Sequence, residues 1–67
     1  MNEPEFNVYR DQTRRWRWRL VASNGRIVAD SGQSYGRRNE CVEAVNRTRR
    51  IANNAAIYYT ASELLPR

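Results

Sequence analysis

The chain has 67 residues, a formal charge of +5, a sequence pI near 10.4 and no histidine, and all twelve of its basic residues are arginine. That length allows one domain, residues 1–67 with an ordered core over about 5–60, and a domain so small buries so limited a fraction of its surface that additional stabilisation is often needed. A single cysteine, Cys41, excludes an internal disulfide, and no apolar run is long enough for a transmembrane helix, which leaves association with a second copy as the available staple. The opening Met1-Asn2-Glu3-Pro4-Glu5 lacks the charged and apolar regions of a signal peptide, so the expected location is cytoplasmic.

Phe6-Asn7-Val8-Tyr9-Arg10 alternates at the period of a strand, and Asp11-Gln12-Thr13-Arg14 is a polar turn. Trp16-Arg17-Trp18-Arg19-Leu20 alternates more strongly, with the tryptophans on one face and the arginines on the other. If Phe6 and Val8 share the apolar face with Trp18 and Leu20, Arg10 lies opposite Trp16, and Asn7, Tyr9, Arg17 and Arg19 occupy the other face. Asn24-Gly25 predicts a two-residue type I′ turn pairing Ser23 with Arg26. That register sets Ala22 opposite Ile27, Val21 opposite Val28, Leu20 opposite Ala29 and Arg19 opposite Asp30, which offers Arg19 an acidic partner.

Gly32-Gln33-Ser34-Tyr35-Gly36 ends the third strand. From Arg37 the apolar spacing changes to Cys41, Ala44, Val45, Thr48, Ile51 and Ala52, the stripe of a helix, with Arg38, Glu43, Asn46, Arg47 and Arg50 on the opposite side. Arginines 47, 49 and 50 complement the helix dipole in the later turns, and Asn53-Asn54 is a stop. Ala56-Ile57-Tyr58-Tyr59-Thr60 reads as a fourth strand, pairing with its own sheet or with that of another chain. The remaining segment, Ala61 to Arg67, is expected to fray, with Leu64-Leu65 available for local packing.

Phe6-x-Val8-Tyr9-x-Asp11, Trp16-Arg17-Trp18-Arg19-Leu20, Asn24-Gly25-x-Ile27-x-Ala29-x-Ser31 and Tyr35, with Cys41 and Val45 beyond them, resemble the YegP-like family of small uncharacterised proteins. The likeness covers most of Glu5 to Ala52. It implies an α+β fold of β-β-β-α-β order, with one helix on one face of an antiparallel sheet and the C-terminal strand exchanged in a homodimer. Arg14 departs from the family's usual glycine, and Gly36 stands where a serine or threonine commonly caps the helix. The family supplies no catalytic residue to carry over.

Reactive chemistry is sparse in the residues themselves. Without histidine the commonest general base and metal ligand is missing, and Cys41, on the apolar stripe, has no histidine to activate it. The carboxylates of Asp11, Asp30, Glu40 and Glu43 are scattered, and the segment from Gly32 to Gly36 lacks the lysine and spacing of a phosphate-binding loop. The expectation is a non-enzymatic interaction or structural module with no metal and no cofactor, soluble rather than membrane-bound. The alternative is single-stranded nucleic-acid binding, with Tyr9, Tyr58, Arg17 and Arg19 on one sheet face as stacking rings beside cations. The surplus of arginine also fits a solvated surface or coding bias.

Overall fold

The computed structural model describes residues 3–58. Three strands, β1 (Glu5–Arg10), β2 (Trp16–Val21) and β3 (Ile27–Asp30), form an antiparallel sheet in the order β1-β2-β3, and one helix, α1 (Arg38–Asn54), follows. This is the expected α+β class. Arg10 pairs with Trp16, Val8 with Trp18 and Phe6 with Leu20, so the alternation in β1 and β2 gathers one apolar face as read from the residues. Beyond β3, Tyr35 exchanges two backbone hydrogen bonds of 2.8 Å with Trp16 and completes the pairing of β2.

The helix packs on β1 and β2 and leaves β3 uncovered. Trp18, 7% exposed, is buried with Cys41, Ala44 and Val45, and Phe6, Val8, Trp16, Leu20 and Tyr35 pack around this centre. The Phe6 and Trp18 rings meet edge to face, with centroids 5.2 Å apart, a geometry that sets the positive ring edge against the negative face. Only the first part of the helical stripe is used. Thr48 is half-buried, Ile51 is 63% exposed and Ala52 is exposed.

Both hairpins turn in the same way. In the first, the Asp11 amide donates to the Arg15 carbonyl (2.8 Å) and the Arg14 amide to the Asp11 carbonyl (2.9 Å). In the second, Ala22 donates to Arg26 and Gly25 to Ala22 at 2.8 and 2.9 Å. Each is a three-residue loop ending in a left-handed residue, Arg14 at φ 68° and Gly25 at φ 90°. The two-residue type I′ turn expected at Asn24-Gly25 is therefore corrected: Asn24 does not adopt positive φ, and its side chain accepts the Arg26 amide at 3.0 Å.

The extra loop residue moves Ile27 opposite Val21, and a bulge at Val28 then restores Leu20 opposite Ala29 and Arg19 opposite Asp30. The expected pairings of Ala22 with Ile27 and Val21 with Val28 are thus replaced, while the two farther from the turn hold.

The helix N-cap is Arg37 rather than Gly36, in extended conformation, and Glu40 reaches back to accept its amide at 3.3 Å. At the other end Ala55 is extended and closes the last turn through Ala52. Ala55 to Tyr58 form no strand in the single chain, so the part of the expected fourth strand that is described stands unpaired. Its last two residues, Tyr59 and Thr60, and the expectations for Ala61 to Arg67, including packing by Leu64-Leu65, lie outside the described residues.

Left-handed backbone costs an L-residue about 1–2 kcal/mol, of which glycine escapes most while losing some chain entropy. Arg14→Gly should accordingly raise stability by about 0.5–1 kcal/mol in a urea titration. A lower midpoint would show that the Arg14 side chain contributes more than its backbone conformation costs.

Candidate functional site

The face of the sheet turned away from α1 carries the polar residues of β1 and β2. Antiparallel pairing sets Tyr9 opposite Arg17 and Asn7 opposite Arg19, so Tyr9, Arg17 and Arg19 are brought together as expected. The Arg19 guanidinium lies 4.3 Å from the centroid of the Tyr9 ring, a cation–π contact. Arg19 and Asp30 share a register position, but the expected ion pair does not form. Asp30 instead accepts the Gly32 amide at 3.0 Å, which stabilises the turn after β3, and Arg19 takes the aromatic ring.

Arg17 donates through Nε to Asp11 Oδ2 at 2.7 Å, the one ion pair among the described residues. Asp11 is the organising group here. Its Oδ1 accepts the Thr13 hydroxyl at 2.6 Å, the Thr13 amide at 2.8 Å and the Arg15 amide at 3.1 Å. These bonds, foremost those from the Thr13 hydroxyl and Arg17, hold the carboxyl well below the usual carboxylate range. The same bond raises the Arg17 guanidinium further above its ordinary value. Read from the sequence, Asp11 is only a turn residue; the available signal for more is the Asp-x-Thr spacing at the turn and an arginine reachable across the hairpin.

Tyr58 does not join this face. It lies past the end of α1, outside any strand, and is 92% exposed. Cys41 is fully buried, and burial pushes its thiol up, so it is a packing residue and a poor nucleophile at neutral pH. Among the described residues no group of three histidine, cysteine, aspartate or glutamate side chains is placed to hold a metal ion, and no helix is long and apolar enough to cross a membrane.

A second feature lies at the opposite side of the sheet. Phe6 and Leu20 form the floor of an open groove of about 800 Å³ whose helical wall is Asn46, Arg49, Arg50, Ala52 and Asn53. Arg49 reaches only the Asn46 side chain, at 3.4 Å.

These features define a small three-stranded α+β domain with an internally paired polar face and an amphipathic groove. Residues 11–58 match the family described as domain of unknown function (DUF1508). The chain belongs to this family. Two relatives called UPF0339 protein, from Treponema denticola and Methanosarcina acetivorans, are 32% and 38% identical over 53 residues, 79% of this chain and 90% of each relative. The solution NMR structure of a protein from Haloferax volcanii matches with a TM-score of 0.78 at 35% identity, covering 90% of this chain and all of that one.

The Asp11 bonds make stability depend on pH. Because folding lowers the Asp11 pKa below its unfolded value of about 3.9, the contribution is complete above that value and is lost as acid protonates the folded carboxylate. Thermal melts of the wild-type protein should therefore fall steadily below about pH 4. Asp11→Asn should melt lower at neutral pH and show a flatter acid limb; an acid limb as steep as wild type would place the titration in other carboxylates.

Proposed function

We propose that the domain acts as a non-enzymatic, homodimeric interaction or structural module whose sheet is completed by exchange of the segment Ala56 to Thr60 with a second copy. The observation that carries this reading is the imbalance between core and surface. Among the described residues four hydrophobic ones are buried, while Ile27 and Val28 on the uncovered β3 edge, Ile51 on α1, and Ile57 and Tyr58 beyond it are all more than half exposed. Apolar surface gathered at an unprotected strand edge and along an emerging chain is the pattern that another chain covers. Neither the buried thiol nor the paired Asp11 supports a reaction, and the proposed setting is cytoplasmic.

The second reading, single-stranded nucleic acid on Tyr9, Arg17 and Arg19, draws support from the net charge and from the closeness of these three side chains. It has less to draw on, because Asp11 and the Tyr9 ring already hold the two guanidinium groups. A phosphate backbone would have to compete with both. Oligonucleotide binding that weakens steeply with salt, and that Arg17→Ala and Arg19→Ala reduce, would favour it over the assembly reading.

Deletion of residues 55–67 tests the exchanged strand. Sedimentation should show the full chain as a dimer at micromolar concentration and the shortened chain as a monomer of much lower thermal stability. A full-length monomer, or a shortened chain that still dimerises, would overturn the exchange.

A further inference from the structure

The groove at Phe6 and Leu20 is chemically two-sided. Its floor is an aromatic ring and a branched aliphatic side chain, and its helical wall carries two cations, Arg49 and Arg50, between the side-chain amides of Asn46 and Asn53. No carboxylate within ion-pair distance neutralises either arginine among the described residues. An apolar floor with a cationic, amide-bearing wall suits an extended peptide that presents aliphatic side chains next to an acidic one, the amides being able to bond to its backbone.

One segment of this chain has that composition. After Glu43 the sequence holds a single acidic residue, Glu63, and it is followed directly by Leu64-Leu65. Ala55 is extended, and Ile57 and Tyr58 are 79% and 92% exposed, so the described residues beyond α1 find no packing on their own fold and are open to a second copy. We propose that the groove formed by Phe6, Leu20, Arg49 and Arg50 receives the segment Glu63-Leu64-Leu65 of a second copy of this chain. This rests on the dimeric reading above and adds to it a side-chain lock outside the exchanged strand. The leucines supply most of the free energy by leaving water, and Glu63 fixes the register against the arginines.

The test uses full-length protein and sedimentation at graded concentration, with circular dichroism confirming that each variant keeps its helix and sheet. Leu64→Ser/Leu65→Ser should weaken the dimer at least about tenfold. Arg49→Glu/Arg50→Glu should weaken it several-fold, and adding Glu63→Arg to that background should restore part of the loss, as a direct charge pairing requires. A wild-type dissociation constant for the leucine variant, or a further weakening when Glu63→Arg is added, would overturn the lock while leaving the exchanged strand intact. A wild-type chain that is monomeric would overturn both, and a fall in its melting temperature on leucine substitution would assign the groove to its own tail.

Discussion

The structure depends on how the Trp18 indole is enclosed. Alternation in β2 sends this side chain to the inner face, where β1 supplies the Phe6 ring in an edge-to-face contact and the helix supplies Cys41 and Val45. Cys41, fully buried in that cluster, is a small side chain, and a larger residue there would hold helix and sheet apart. Trp16, Val8 and Leu20 then pack around a centre already set. The register of the first hairpin, the choice of face and the placement of the helix all follow from satisfying that one side chain.

The enclosure is also small, and its size explains the rest of the surface. Once Trp18 is covered by the first turns of α1, the later part of the apolar stripe finds no cover and Ile51 is left exposed. Between these later turns and the sheet lies the groove at Phe6 and Leu20. The outer face compensates itself differently, by pairing Arg17 with Asp11 and Arg19 with the Tyr9 ring. Unsatisfied apolar surface thus collects on the helix side and at the β3 edge, while charge on the outer face is largely matched.

Much of the fold is legible in the sequence where packing dictates it. The pairing of β1 with β2 follows from the alternation of Phe6, Val8, Trp18 and Leu20, because a slip by one residue would turn all of them to water. The second hairpin is less legible because a three-residue turn and the bulge at Val28 offset one another, and the periodicity of Ile27 to Asp30 carries no mark of either. The left-handed Arg14 is visible only through the resemblance, which expects glycine there. Charge partners are the least legible of all. Arg19 chooses the Tyr9 ring over Asp30, and Arg17 finds Asp11 across the turn, because side-chain reach and turn hydrogen bonding decide these pairs after the backbone is set. Of the four candidate site residues, the three on paired strands come together, while Tyr58 lies outside any strand among the described residues.

The enclosure of Trp18 is most directly tested by measuring the unfolding free energy of Trp18→Ala against wild type in urea. Loss of the indole from a site closed by Phe6, Cys41 and Val45 should cost about 3–5 kcal/mol, enough to leave a small domain substantially unfolded at room temperature. A variant that unfolds within about 1 kcal/mol of wild type would show that the core is organised around other residues and that the face assigned to Trp18 is wrong.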